Sequence, residues 1–349
     1  MAAVQPLVVG VIFPAKKIER LEALLGQEEH GVRFVMINLE AAAPTGTSVS
    51  ASDIEAAAQR LAARYKPLDA ILHKLAHDMV FAGQGDKEAA TRVKLVQEFE
   101  RQNPSVRVMD PLDSVRLLTC RYAACQMLRT METVTEPSPS CFKVPFFHVV
   151  QNSEHFQNLL TELDAGRTRL PLICKSVEAC ATERSHMMSV ITKREDLVYV
   201  EYPVLYQEFV NHSGRLYKGY VLGDTIKVAE RRSLPNLVAG DAQQVHFNTQ
   251  EDYPTSGDFH SHDVDDSTLQ VTTASSEPTQ EKIFAAVRLI GERLRDELKL
   301  TLFGFDVIVA DDGSRDLYVI DVNYFPSYRE LDDLSIVLRK HLKQLCGRQ

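Results

Sequence analysis

Three oxygen-bearing side chains late in the chain, Asp306, Asp321 and Asn323, stand in a pattern that could hold a divalent cation. Asp306 lies in the apolar run Gly304–Ile308, and Asp321 and Asn323 lie two apart in the run Tyr318–Asn323. The two-residue period of a strand points Asp321 and Asn323 to one face. A loop containing Asp312-Gly313 would fold the two runs into a hairpin and let all three converge. Hard oxygen donors suit Mg²⁺, with phosphate oxygens and water completing its shell. Val307, Ile320 and Val322 are expected to pack the opposite face. Acids embedded in apolar strands are costly unless a cation pairs them, which separates this pattern from acids that merely end surface strands.

Other positions could serve a phosphate or a nucleotide. Lys175 ends the apolar run Leu172-Ile-Cys-Lys175 and could reach phosphates as a point charge; alone, it also fits a surface lysine with a buried stem. Gln207-Glu208-Phe-Val210 closes another apolar run, whose edge could offer backbone and side-chain groups to an adenine. Cations recur beside expected strand ends and turns: Lys16, Lys17, His73, Lys74, Arg121, His186, Lys218, Arg231 and Arg232. Open α/β sheets bind ligands at such places. The chain lacks a GxxxxGK[ST] loop, a protein-kinase HRD or DFG set and a GxSxG elbow. His260-Ser-His262 lacks apolar framing and reads as part of a polar surface stretch.

The elements that must position these residues fall into three groups. Residues 1–115 alternate strand-like runs (Val8–Phe13, Val32–Leu39, Ala70–Leu75, Val106–Met109) with helical ones (Ile18–Leu25, Ala51–Tyr65 behind Ser52, Asp86–Gln102). That alternation predicts a doubly wound α/β lobe. A helix is expected over Asp110–Met131, then a turn-rich break at Glu136-Pro-Ser-Pro-Ser140. Short strands follow (Phe146–Val150, Leu172–Val177, Met187–Ile191, Val204–Val210), with one helix, Glu154–Leu163, behind Ser153. They predict an α+β lobe over 116–212. Residues 213–349 hold two hairpin signals, Leu216–Leu222 with Thr225–Ala229 and Phe305–Ala310 with Leu317–Val322. They also hold amphipathic helices at Lys282–Leu298 and Leu331–Leu345. A polar, aperiodic insert is expected around 250–280.

With 349 residues the chain is long enough for two or three lobes. Apolar residues make up 44% and charged residues 25%, an ordinary balance for a soluble protein. No apolar run approaches the roughly 20 residues of a membrane span. The opening MAAVQPLVVGVIF reads as a first strand rather than a signal peptide. The six cysteines form no CxxC pair, so neither a disulfide framework nor a zinc site is expected, and the protein is read as cytoplasmic. A net charge of −9 argues against non-specific nucleic-acid binding, yet a small anion needs only a local cationic cluster.

Across nearly its whole length the chain resembles the inositol-tetrakisphosphate 1-kinases, also called inositol 1,3,4-trisphosphate 5/6-kinases. The segments that carry the resemblance are AKKI, LHKL, DPLDSVR, PLICKSV, Ser185-His186, QEFVNH, LYKGYVLGD, ERRSL, LFGFDVIV and VIDVNYFPSY. It implies an ATP-grasp fold, in which an N-terminal α/β lobe precedes two α+β lobes that clasp ATP. It implies Asp306, Asp321 and Asn323 as ligands of Mg²⁺, with two ions expected. It implies Arg121, Lys175, the segment Gln207 to Val210 with Glu208, and Ser233 as the ATP site. Lys17, Lys74, His186, Lys218, Asn323 and Ser327 would face the inositol phosphate, and Lys175, Arg231 and His186 would serve catalysis. The chain departs from the pattern in SVEACATERS between Lys175 and His186. Cys180 stands where the family has His or Asp, Ala181 where it has Gly, Met187 where Glu is common, and Ser327 where Gly is frequent.

The expected activity is Mg²⁺-dependent transfer of the ATP γ-phosphoryl group to a ring hydroxyl of an inositol tris- or tetrakisphosphate. The expected enzyme is a monomer without nucleic-acid or membrane partners. A carboxylate–amine ligase would share the metal residues, Lys175 and the hinge but would not need Lys17, Lys74 and His186. The altered 176–187 loop would also suit a weakly catalytic inositol-phosphate sensor.

Overall fold

The computed structural model describes residues 5–46, 48–132, 140–240, 242–259 and 279–348. Most of the break at 136–140, His260-Ser-His262 and most of the stretch 250–280 therefore lie outside the described residues.

The N-terminal part contains β1 (Leu7–Ile12), α1 (Ala15–Leu25), β2 (Val32–Met36), α2 (Leu39–Ala42), α3 (Ala51–Arg64), β3 (Ala70–His73), α4 (Ala76–Gly83), α5 (Lys87–Gln102) and β4 (Arg107–Val108). The strands form a parallel sheet in the order β2-β1-β3-β4. Every residue of β1 and β3 is buried, as the inner strands of a parallel sheet must be when helices cover both faces. α3 begins at Ala51, as the sequence suggested, but with a different cap. Ser50, not Ser52, is its N-cap, and it exchanges hydrogen bonds with Asp53 in a capping box.

The single helix expected over Asp110–Met131 is two: α6 (Leu112–Leu117) and α7 (Arg121–Thr130). The break buries Leu118 and lets Arg121 open α7, where its backbone N–H donates to Val177 O at 2.8 Å. The central sheet takes β5 (Phe147–Val150), β6 (Leu172–Ser176), β7 (Met187–Ile191) and β8 (Val204–Glu208), with α8 (Ser153–Asp164) packed on β5. Asn152 caps α8 by accepting from His155 N–H, one residue before the Ser153 expected there.

The C-terminal part supplies β9 (Arg215–Leu222), β10 (Thr225–Arg232), β11 (Val245–Asn248), α9 (Ser256–Phe259), α10 (Gln280–Leu298), β12 (Leu302–Val309), β13 (Leu317–Tyr324) and α11 (Leu334–Leu345). Four of these strands form an antiparallel sheet, β10-β9-β12-β13. β11 does not join them. It crosses to the central sheet, whose order is β11-β7-β6-β8-β5, and pairs Asn248 with Met187.

α10 packs against β9 and β10. Gly219 on β9 makes room for the Phe305 ring, which a Cβ there would meet at 2.3 Å, and Gly291 of α10 flanks the same ring. Phe305 thus faces the helix and the next residue, Asp306, faces the other way. One apolar core runs from the N-terminal sheet through α6 and α7 into the C-terminal sheet, while the central sheet has smaller cores of its own.

Candidate active site

The central and C-terminal sheets face each other across a cavity of about 400 Å³. Its walls include Arg121, Lys175, His186, Gln207, Glu208, Val210, Lys218, Ser233, Asp306, Asp321, Asn323 and Ser327. Lys16, Lys17, His73, Lys74, Arg231 and Arg232, also singled out in the sequence, do not line it.

The floor is built across three strands. Asp306 on β12 is the register partner of Asp321 on β13 and of Lys218 on β9. Lys218 Nζ donates to Asp306 at 2.8 Å, and Asn323 Nδ2 donates to Asp321 at 2.8 Å. A β-bulge interrupts the hairpin: Asp306 pairs with Asp321 but Val307 pairs with Val319, so Ile320 is the extra residue. Strict alternation would send Ile320 away from the cleft. The bulge instead places it on the cleft wall beside Asp321, with Ile308 across from it, while Val307 and Val322 are buried on the far face as expected.

Burial, reinforced by the like charge of Asp321, raises the Asp306 carboxyl above the usual carboxylate range, against the pull of Lys218. Asp321 is buried too, but Arg121, Lys175 and its bond from Asn323 hold it below that range. Burial works against the Lys218 ammonium, and Asp306 outweighs it. Among the described residues no cluster of three or more His, Cys, Asp or Glu side chains could hold a metal. This floor offers two carboxylates and one amide oxygen, a hard and incomplete donor set. That composition fits Mg²⁺, which holds few protein ligands and shares the rest with phosphates and water.

Above the floor, Lys175 is buried and donates to Gln207 Oε1 at 2.8 Å and towards Ile320 O at 3.4 Å. Burial depresses its pKa, and Asp321 resists that shift. Arg121 holds the loop after β6: it donates to Ser176 O, Glu178 O and Ser185 O at 2.9, 2.7 and 2.7 Å. Its buried Nε lacks a partner, a donor left over on a residue that lines the cavity. Within that loop Ala181 adopts φ 77°, the left-handed region that favours glycine.

Glu208 is turned away by its bond from Arg169 N–H, at 2.8 Å, so it can offer the cleft backbone more readily than its carboxylate. Behind the hinge, His212 Nδ1 lies 2.6 Å from Val210 O and its Nε2 lies 2.8 Å from Ser233 Oγ. A carbonyl only accepts, so Nδ1 carries the proton. Burial lowers the His212 pKa and keeps the ring neutral, so Nε2 accepts from the Ser233 hydroxyl. Ser233 Oγ is left with lone pairs to present.

Lys17 and Lys74 reach the edge of the cleft from the N-terminal part. Lys17 Nζ donates to Phe325 O and Pro326 O at 3.3 and 2.8 Å, over the Phe325 ring, and Lys74 Nζ donates to Phe325 O at 2.8 Å. Pro326 lines the cavity, so both ammoniums stand one residue behind its wall. Burial, with Lys74 and Arg20 nearby, lowers Lys17 to about 6. His73 belongs to the core: it is fully buried and bonds Asp110 O at 3.2 Å. Arg231 is paired with Glu330 on the half-exposed edge strand β10.

Several lining residues carried no separate signal in the sequence: Arg20, Ile173, Met188, Phe209, Gln250, Tyr253 and Ile308. Arg20 lies one helical turn after Lys17, a spacing that could have marked it. Gln250 and Tyr253 lie in the polar stretch, where nothing local distinguishes them. Burial raises the Tyr253 hydroxyl to about 12, so it is a donor at neutral pH.

Residues 138–344 match the inositol 1,3,4-trisphosphate 5/6-kinase ATP-grasp domain. Inositol-tetrakisphosphate 1-kinase of Xenopus laevis is 30% identical over 285 residues, which cover 81% of this chain and 68% of that protein. Inositol-tetrakisphosphate 1-kinase 3 of Arabidopsis thaliana is 30% identical over 289 residues, 81% of this chain and 73% of its own. An ADP complex of N5-carboxyaminoimidazole ribonucleotide synthetase aligns over 99% of this chain and 78% of its own, with TM-score 0.58 and 14% identity. The ATP-grasp ligase PsnB, complexed with minimal precursor, Mg and ADP, aligns over 98% of both chains with TM-score 0.54 and 14% identity. At such identities these two likenesses show the fold alone, and it is ATP-grasp. The chain belongs to the inositol 1,3,4-trisphosphate 5/6-kinase family of ATP-grasp proteins.

Proposed function

We propose that the chain transfers the γ-phosphoryl group of ATP to a ring hydroxyl of an inositol tris- or tetrakisphosphate. One observation carries this reading beyond family membership. Asp306, Asp321 and Asn323 lie on the floor of a cleft whose edge is gripped by Lys17 and Lys74 from a different lobe. A phosphate donor and a polyphosphorylated acceptor need an acidic floor and a rim of amino groups that gain their charge when phosphate oxygens replace the carbonyls.

In this reading the adenine slides between Ile173 on one sheet and Ile308 and Ile320 on the other, against the Gln207–Val210 backbone. Ser233 Oγ accepts from a ribose hydroxyl. Lys175 and the spare donor of Arg121 face the phosphates. Asp306, Asp321 and Asn323 would hold Mg²⁺, two ions in this reading, which when bound would neutralise phosphate oxygens. The lobe over 1–115 presents Lys17 and Lys74 to the inositol phosphate, whose anionic oxygens compete with the Phe325 and Pro326 carbonyls. The lobes over 116–212 and 213–349 clasp the nucleotide. His186, Lys218, Asn323 and Ser327 complete the acceptor side, and Arg231 joins on release from Glu330.

Phosphoryl transfer passes through a loose transition state, so alignment and cationic stabilisation supply most of the rate, and no residue need act as a strong base. Among the described residues no helix is long and apolar enough to cross a membrane. All six cysteines are free. We propose that the protein acts in the cytoplasm as a monomer.

The test is ATP turnover with Mg²⁺ across a panel of inositol tris-, tetrakis- and pentakisphosphates, with products resolved by isomer. A more phosphorylated product that disappears in Asp321→Ala supports the reading. ATP binding without product from any acceptor overturns it.

A further inference from the structure

β11 leaves the C-terminal half and pairs with β7, placing Asn248 opposite Met187. The chain then turns: Asn248 Oδ1 accepts from Gln250 N–H at 3.0 Å, which sets the backbone of Gln250. Two contacts from this turn fall on His186. Thr249 N–H donates to His186 O at 2.9 Å, and Gln250 Nε2 lies 3.0 Å from His186 Nε2. Thr249, Gln250 and His186 all line the cleft.

The second contact decides where the imidazole carries its proton. An amide nitrogen can only donate, so His186 Nε2 must accept, and the ring proton sits on Nδ1. We propose that Gln250 is a positioning residue that holds His186 in its neutral, Nδ1-protonated form, so that His186 meets phosphate as a hydrogen-bond donor rather than as a cation. The proposal deepens the kinase reading and rests on it for the claim that the partner is a phosphate.

The surroundings agree. Burial, then the positive charges of Arg121 on α7 and Lys16 on α1, push the His186 pKa down. His77 on α4 feels His186 in turn and is itself lowered to about 4 by burial, by Lys74 and by His186. On its own turn, Arg184 is paired with Glu178. The groups acting on the ring are thus cationic from several elements, and a second proton on it would add to a crowded positive cluster. A neutral donor keeps specificity for a phosphate or hydroxyl oxygen without deepening that repulsion.

The experiment is a long-range ¹H–¹⁵N correlation spectrum of the histidine side chains in the full chain, without ligand, with His186 assigned by loss of its signals in His186→Gln. Wild type is expected to show the Nδ1–H tautomer near pH 8, with conversion to imidazolium displaced below the usual histidine range. Gln250→Leu removes the donor and should give a mixed or Nε2–H tautomer, with KM for the inositol phosphate up about fivefold and KM for ATP unchanged, a loss of one hydrogen bond to the ring. Gln250→Glu offers an acceptor instead, so His186 should become an imidazolium near neutral pH and KM for the acceptor should become pH-dependent. A wild-type ring that is Nε2–H or doubly protonated at neutral pH overturns the proposal, as does an unchanged tautomer in Gln250→Leu. If the spectra behave as expected but wild type turns over no inositol phosphate, the positioning stands and the kinase reading falls.

Discussion

Lys218 and Asp306 stand opposite each other on neighbouring strands, joined by a 2.8 Å ion pair in the floor of the cleft. Each is mostly buried, so each depends on the other: the lysine offsets a carboxylate that would otherwise face Asp321 with no countercharge of its own. Asp306→Ala is expected to lower kcat by on the order of 10³-fold or more, since it removes a proposed ligand of the metal used in the transition state. Lys218→Met should cost about 3 kcal/mol of stability in urea unfolding, because it strands a buried charge. Adding Asp306→Asn to Lys218→Met should recover most of that loss.

Lys17 links stability to pH. Its folded-state value of about 6 lies below its ordinary value of 10.5. Between those limits the unfolded chain binds more protons at this site, so its contribution makes stability rise with pH. Below about 6 both states are protonated and the burial cost is present in full. Lys17→Met should remove this slope. The difference between wild type and variant, measured by denaturant unfolding near pH 6.5 and near pH 8.5, should change by about 2 kcal/mol in favour of wild type at the higher pH. A constant difference would show that Lys17 keeps its proton when buried.

Ser233→Ala should raise KM for ATP about tenfold with kcat nearly unchanged. It removes an acceptor on the cleft wall and leaves His212 Nε2 without its donor, a loss of about 1–3 kcal/mol. Steady-state kinetics with ATP as the varied substrate separates this from a general loss of fold, which would lower the active fraction instead.

Arg339 on α11 is fully buried and donates to Leu24 O and Gln27 O at 2.7 and 2.9 Å, just where α1 ends. It also donates to Ser335 Oγ and lies over the Phe34 ring. α1 has no basic residue in its own last turn, so this guanidinium supplies the cation that a helix C-terminus favours. Arg339→Leu orphans those carbonyls and should cost about 3 kcal/mol or more by chemical denaturation. Arg339→Lys, with one nitrogen in place of a fork, should restore only part of it.

The convergence of Asp306, Asp321 and Asn323 was legible because its signal is local. Asp321 and Asn323 share a face by the two-residue period, and the hairpin that brings Asp306 to them spans a short loop. The strand β6 that carries Lys175 and the alternation of the first lobe are local in the same sense. Errors in the local reading were small and chemical: Ser50 rather than Ser52 caps α3, because the Ser50–Asp53 spacing closes a capping box. Ile320 broke the period because a bulge, which depends on the partner strand, inserted one residue.

What the sequence by itself determined is the repertoire: oxygen donors of a kind that suits a hard cation, lysines and an arginine of a kind that suits phosphates, and the run of segments that marks the family. The tertiary structure decided which of them meet. Lys17 and Lys74 reach the Phe325–Pro326 turn across some 250 residues or more, and β11 carries Gln250 to His186 by joining a sheet far from its own neighbours in sequence. Such contacts follow from burying apolar faces of separate elements against one another, a non-local condition that residue spacing cannot express.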